Sequence, residues 1–196
     1  MKHLLYALLT AVSILFTSCG PSSNTNTPQE PNVPQPQPQP QPEVTQKVVI
    51  GYLALDDWEF ENLFPTIEWK YLTHINASFA RVKADGTLNI NPVRKRIESV
   101  RETAHKHNVK ILISLAKNSP GEFTTAINDP KARKELIQQI IAFTKEYKLD
   151  GFDIDYEEYD NWDKNFPSLL VFARGLYLAK EKNMLMTLSL IHISEP

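Results

Sequence analysis

Strand-like segments that alternate with stretches of helical periodicity constrain the fold of this chain more than any other feature. Most of these segments are short runs enriched in Val, Ile, Leu or aromatic residues, as is typical of buried strands. The predicted strands cover residues 48–55, 71–82, 109–116, 150–157 and 184–190. Buried strands separated by helices indicate a parallel sheet with helices packed against it.

Helix start signals precede two of the intervening stretches. Asn91-Pro92 and Asp129-Pro130 each place an N-cap residue before a first-turn proline, so a helix is predicted from each pair. A third helix is predicted over about residues 166–182. The sequence therefore repeats the order strand, helix, strand.

A parallel sheet of this kind is either a closed barrel or an open, doubly wound sheet. A doubly wound nucleotide-binding sheet usually has a Gly-rich turn after its first strand, whereas here that turn reads "ALDDWEFENLF". The predicted fold is thus α/β, a (β/α)8 TIM barrel. Such a barrel takes about 250 residues, and residues 47–196 are fewer, so we expect a truncated barrel of about five strands.

The first 46 residues differ in character from the rest. Residues 4–16 form an apolar run after Lys2 and His3, and this run is too short to span a bilayer, which takes about 20 helical residues. We predict a signal peptide over residues 1–18. Residues 19–46 are rich in Pro and Gln, include "PQPQPQPQP", and cannot form a core. They predict a disordered linker before a barrel domain at 47–196.

Acidic and apolar residues alternate along the fourth predicted strand, "DGFDIDYE". The period of two places Asp153, Asp155 and Glu157 on one face, which we expect to point into the barrel, with Glu157 nearest the C-terminal rim. Three carboxylates so close cannot all stay ionised in a poorly hydrated interior, so at least one should hold a proton at neutral pH, as a general acid does. The alternatives are a solvated acidic strand and a divalent-metal site.

These residues resemble a known signature. "DGFDIDYE" (150–157) is similar to the D-G-x-D-x-D-x-E motif of glycoside hydrolase family 18, the chitinases and endo-β-N-acetylglucosaminidases, and "LTHINASFARV" and "VKILISLA" resemble the second and third strands of that family. The resemblance covers residues 48–190 and implies hydrolysis of β-1,4 linkages in glycans that contain N-acetylglucosamine, by a substrate-assisted retaining mechanism.

The resemblance also implies roles for the acids. Glu157 would protonate the glycosidic oxygen and then activate water, Asp155 would orient the 2-acetamido group of the substrate, and Asp153 would share a proton with Asp155. Asp150 would shape the entry to the strand.

Four further residues match the family less specifically. Tyr52 and Ser114 occupy positions that hydrogen-bond the innermost aspartate, although each could equally be a core polar residue. Trp58 and Phe79 could line a sugar platform or simply pack.

A second resemblance concerns the only cysteine. "FTSCG" is similar to the lipobox of bacterial lipoproteins, with Phe16 where that family prefers Leu. It implies that Cys19 is lipidated and that the protein is exported to the cell envelope, where its lipid attaches it to a membrane. The outer membrane and the cell surface are the candidate locations. Ordinary secretion is the alternative.

One departure from the glycosidase pattern bears on function. Many members of the family have "S-x-G-G" where this chain has "SLAKN", which puts Lys117 in place of a glycine. A glycan-binding lipoprotein without turnover is therefore the alternative to an enzyme. We expect no cofactor, no metal and, given a net charge of -2, no nucleic-acid partner. Chitin, N-glycans and peptidoglycan all stay open as substrates, and we expect the chain alone to be inactive.

Overall fold

The computed structural model describes residues 47–158 and 161–189, with Trp162 described by its backbone alone. Cys19, the predicted signal peptide and the predicted linker lie outside the described residues. Six strands form one sheet in the order β1-β2-β4-β5-β6, with the short β3 paired to β2. The strands are β1 (Ile50–Ala54), β2 (His74–Val82), β3 (Leu88–Asn89), β4 (Lys110–Lys117), β5 (Gly151–Asp155) and β6 (Leu185–Ser189).

The sheet is parallel, as the sequence predicts. Neighbouring strands along the main path are all parallel, and among the described strands only the β2–β3 pair is antiparallel. Spatial order follows chain order among the five parallel strands, which is the order of a (β/α)8 barrel and not that of a doubly wound sheet, where the order reverses at a switch point.

Helices connect most of the strands. They are α1 (Phe60–Leu63), α2 (Asn91–Arg94), α3 (Ile97–Lys106), α4 (Glu122–Asn128), α5 (Pro130–Glu146) and α6 (Trp162–Ala179), with two short 3-10 turns at Phe64–Thr66 and Trp69–Tyr71. Within the described ranges, no helix combines the length and the apolar character that a membrane span requires.

Asp129 caps α5 as predicted, because its Oδ1 accepts a hydrogen bond of 2.7 Å from the backbone N–H of Ala132. The prediction at Asn91 is wrong by one residue: Asn91 is the first helical residue and Ile90 occupies the cap position. The predicted third helix begins four residues early, at Trp162, and includes Pro167 within its length.

The helix predicted from Asn91 is also divided in two, and Arg96 lies at the break. Its Nη1 donates to the backbone carbonyls of Leu55 and Asp57, at 2.5 and 3.0 Å. Its guanidinium also lies over the ring of Phe60, 4.3 Å from the centroid. These tertiary contacts hold Arg96 against the loop after β1 and interrupt the helix. The sequence shows continuous helical periodicity here, so it predicted a single helix.

The main core lies between the sheet and the helices. Strand residues that point toward the helices are fully buried, among them Ile111, Ile113, Phe152 and Ile154, and they pack with helix residues. The other face of the parallel strands carries most of the buried polar side chains, and the candidate site is built there.

Candidate active site

Strand β5 separates its apolar and acidic side chains onto opposite faces. Phe152, Ile154 and Tyr156 are completely buried in or beside the core. Asp153 and Asp155 lie on the other face, and both are buried as well. The strand's alternation therefore divides these residues as predicted. Because β5 is paired on both sides, its carboxylates lie in the middle of the sheet and not at an edge.

Asp153 is surrounded by hydroxyl groups from its two neighbouring strands, β4 and β6, and from β1. Its Oδ2 accepts from Tyr52 Oη at 2.9 Å and from Ser114 Oγ at 2.7 Å. Its Oδ1 accepts from Thr187 Oγ1 at 2.6 Å and from Ser189 Oγ at 3.2 Å. The register explains the arrangement, since Ser114 and Thr187 are the direct partners of Asp153 on either side. Several donors stabilise a buried carboxylate.

Thr187 and Ser189 were missed by the sequence reasoning. Both lie on β6, two residues apart, so their side chains share a face. The segment "MLMTLSL" could have indicated them, because its two hydroxyl residues are two positions apart and so lie on the same face of a predicted parallel strand. Tyr52 and Ser189 also contact each other through their hydroxyl oxygens.

Asp155 has a different environment. Its pKa is raised to about 6. Burial is the largest cause, and the negative charges of Glu157 and Asp153 also contribute. The positive charges of Lys117 and Arg81 oppose this rise. Asp155 is therefore the carboxyl that holds a proton under mildly acidic conditions, and at pH 7 it is mostly ionised. The direction of this shift is the one expected for crowded carboxylates, but a pKa of about 6 does not keep the Asp155 proton at neutral pH, where one of the three acids was expected from the sequence to hold it.

The strand predicted over residues 150–157 ends at Asp155, so Glu157 lies past the end of β5, and its side chain is 41% exposed. It borders a cavity of about 450 Å³ whose other lining residues include Lys117, Thr124 and Glu158. Lys117 Nζ donates to the backbone carbonyl of Glu157 at 2.8 Å and lies 4.0 Å from its Oε2. The residue that replaces a glycine of the family pattern is thus in contact with the outermost acid.

Asp150 lies at the other end of β5, away from the cluster. Its carboxylate accepts from His105 Nε2 at 2.8 Å, from Lys110 Nζ at 3.0 Å and from the backbone N–H of Ile111 at 2.9 Å. These hydrogen bonds lower its pKa, although burial, the largest single influence, acts to raise it. Asp150 thus links β5 to β4 and α3.

The two aromatic candidates differ in exposure. Trp58 is 82% exposed in the loop after β1. Phe79 is half-buried on β2, and the Arg81 guanidinium lies 5.1 Å from its ring centroid. Across the described part of the chain, no group of three or more His, Cys, Asp or Glu side chains is placed to hold a metal ion.

Parallel strands in chain order, with carboxylates on their inner face and at their carboxyl end, define an α/β-barrel protein with an acidic site. Residues 48–192 match the family model for glycosyl hydrolases family 18. The chain belongs to this family.

Two similar proteins come from bacteria. A solved structure of a chitinase from Bacteroides thetaiotaomicron is 97% identical, with a TM-score of 0.73, over 74% of this chain and 46% of that one. Chitinase B of Serratia marcescens is 27% identical over 144 residues, which is 58% of this chain and 28% of that protein.

A more distant structure shares the fold. It is a family 18 chitinase from Cycas revoluta in complex with (GlcNAc)3, which is 22% identical with a TM-score of 0.63, over 72% of this chain and 45% of that one. This chain spans less than half the length of each of these three proteins.

Proposed function

We propose that the protein containing this chain is a glycosidase that cleaves β-1,4 linkages in glycans with N-acetylglucosamine. The observation that carries the proposal is the acidic face of β5, where Asp153 and Asp155 are buried and Glu157 follows just past the end of the strand. Membership of family 18 and the 97% identity to a chitinase support the same conclusion. The ligand (GlcNAc)3 of the Cycas revoluta enzyme is a model for the substrate class.

Glu157 is the proposed general acid. Its partly exposed carboxyl group at the rim can reach a glycosidic oxygen, whereas Asp153 is fully buried. Protonation of that oxygen by Glu157 lets the bond to the anomeric carbon break, and the carbonyl oxygen of the substrate's 2-acetamido group forms the new bond, giving an oxazolinium ion. Glu157 then removes a proton from the water that opens this ion, so the configuration is retained.

Asp155 is proposed to orient the acetamido group. Its raised pKa fits this role, because a carboxyl near half protonation around pH 6 can accept a hydrogen bond from the acetamido N–H and exchange a proton with a neighbour. Asp153 is the proposed neighbour, with Tyr52 and Ser114 holding its carboxylate in place. Trp58, with its exposed ring, and Phe79 are proposed sugar contacts.

A glycan-binding protein without turnover is the second candidate. Lys117 favours it, because its ammonium group occupies space beside Glu157 where a glycine would leave room for the substrate. The position of Glu157 at the rim, next to an open cavity, favours catalysis.

We further propose that residues 47–196 alone are inactive. Among the described residues, five parallel strands leave β1 and β6 as edges, whereas a closed barrel pairs every strand. The groups that would complete the sugar site from the opposite wall would come from the remainder of a longer protein.

The test is hydrolysis of chitotetraose by the full-length protein, compared with its Glu157→Gln variant. We expect the wild type to release chitobiose and the variant to lose about two to four orders of magnitude in rate. Proton NMR of the first product should show the β-anomer. An inactive wild type that still binds the oligosaccharide would favour the second candidate, and an inverted product would exclude the acetamido mechanism.

A further inference from the structure

Glu158 directly follows the proposed acid, and its carboxylate is bound to helix α4. The residue is only 9% exposed. Its Oε1 accepts from the backbone N–H of Gly121 and its Oε2 from that of Thr124, both at 2.6 Å. The first N–H groups of a helix have no partner within it, and α4 has no side-chain cap of its own. Glu158 therefore supplies the cap from a different part of the chain, with a charge that the helix dipole favours.

The residue on the other side of Glu157 contacts the same turn of α4. The hydroxyl of Tyr156 is hydrogen-bonded to Thr124 Oγ1 at 2.5 Å. The buried ring of Tyr156 packs edge-on against Phe123, with 5.5 Å between the centroids. Two side chains that flank the acid are thus fixed to one helix start.

These contacts fix the backbone of the segment that follows the end of β5. Strand β5 stops at Asp155, so the regular strand pairing does not extend to Glu157. The Lys117 ammonium group holds the Glu157 carbonyl from the β4 side, at 2.8 Å. The backbone of Glu157 is thereby held between α4 and β4 by side chains.

We infer that Glu158 is a positioning residue, which sets the place of the Glu157 carboxyl group by anchoring its backbone to α4. The inference rests on the proposed function, in which Glu157 protonates the leaving group. A catalytic group that is misplaced by about 1 Å can lose about a hundredfold in rate. Loss of the anchor should therefore impair proton transfer specifically, beyond any effect on folding.

Two substrates separate positioning of the acid from a general structural role. Chitotetraose has a sugar leaving group that needs a proton, whereas 2,4-dinitrophenyl chitobioside has one that leaves without it. The quantity kcat/KM reports on the first chemical step for both. The full-length wild type, Glu158→Gln and Glu157→Gln would be compared, with Glu98→Gln as control because Glu98 is an exposed glutamate in the first turn of α3.

We expect Glu158→Gln to lose about a hundredfold on chitotetraose and much less on the aryl glycoside, the same selectivity as Glu157→Gln, while Glu98→Gln matches the wild type. Equal losses on both substrates, or no loss, would overturn the inference and leave the proposed function intact. A wild type that cleaves neither substrate would refute the proposed function itself. If circular dichroism shows that Glu158→Gln does not fold, Glu158→Asp takes its place, since it keeps the charge on a shorter side chain and should show the same selectivity.

Discussion

Asp153 and Asp155 lie two residues apart on the same face of β5, yet their carboxyl groups have opposite surroundings. Four hydroxyl groups donate to Asp153. Burial beside two other carboxylates instead raises the pKa of Asp155 to about 6. One strand thus presents a carboxyl group that accepts four hydrogen bonds next to a carboxyl group whose ionisation is opposed by burial and negative charge.

Asp155 should make stability depend on pH. Its pKa rises from 3.8 in the unfolded chain to about 6 in the fold. The Asp155 carboxyl therefore binds its proton more tightly in the folded protein than in the unfolded chain. The stability that this difference contributes is fully present below about pH 4 and is lost as the pH rises through about 6. At pH 7 the ionised Asp155 carboxylate lowers the free energy of unfolding by at most about 3 kcal/mol. Asp155→Asn should accordingly raise the free energy of unfolding at pH 7 and have little effect at pH 4.

Chemical denaturation of the full-length protein at pH 4, 5.5 and 7 measures this effect. Asp56→Asn is the matched control, because Asp56 is exposed in the loop after β1. A gain in Asp155→Asn that is as large at pH 4 as at pH 7 would contradict the assignment.

The hydroxyl groups around Asp153 should be individually important. Ser114→Ala and Thr187→Val each remove a donor within 2.7 Å of the buried carboxylate. A hydrogen bond to a charged group contributes about 1.5–3 kcal/mol, so each variant should lose about that much stability. The double variant should depart from additivity, since the two donors bind the two oxygens of one carboxylate.

Urea unfolding of the two single variants and the double variant gives the three values needed. Ser99→Ala is the control, because the exposed Ser99 hydroxyl donates to the backbone carbonyl of Arg96, three residues earlier, and not to a carboxylate. Losses no larger than the control's would show that the hydroxyl groups do not support Asp153.

The sequence pattern predicted the alternation of strands and helices and the face of β5 that carries the acids, because both depend on local periodicity. It could not reveal the break at Arg96, whose partners Leu55 and Asp57 lie far back in the chain. The anchoring of Glu158 was equally hidden, since it depends on the position of α4 after folding. The sequence shows Lys117 only as a replacement of a family glycine. Its hydrogen bond to the Glu157 carbonyl depends on how β4 and β5 pack in the fold.

Gly151 in the acidic motif is explained by a close approach of two strands. A Cβ atom at this position would lie 2.1 Å from the backbone oxygen of Leu185 on β6. Backbone atoms of a paired strand cannot move aside cheaply, so Gly151→Ala should cost about 3 kcal/mol. Gly121→Ala is the comparison, because that position has a φ of +81° but no atom within 4 Å of the added methyl group; backbone strain alone should cost it about 1 kcal/mol. Thermal unfolding of the two variants should rank them in that order, and equal losses would refute the steric explanation.

Lipidation of Cys19 stays a prediction from the sequence. An apolar run over residues 4–16 precedes small residues and the single cysteine of the chain, and a Pro-rich stretch follows. Buried acyl chains contribute about 0.8 kcal/mol per methylene to membrane binding, so loss of the thiol should release the protein. Cys19→Ala should move it from the membrane fraction to the soluble fraction and abolish labelling by a palmitate analogue, whereas Ser18→Ala should keep both. An unlabelled wild type, or a Cys19→Ala variant with an unchanged distribution, would count against lipidation at Cys19.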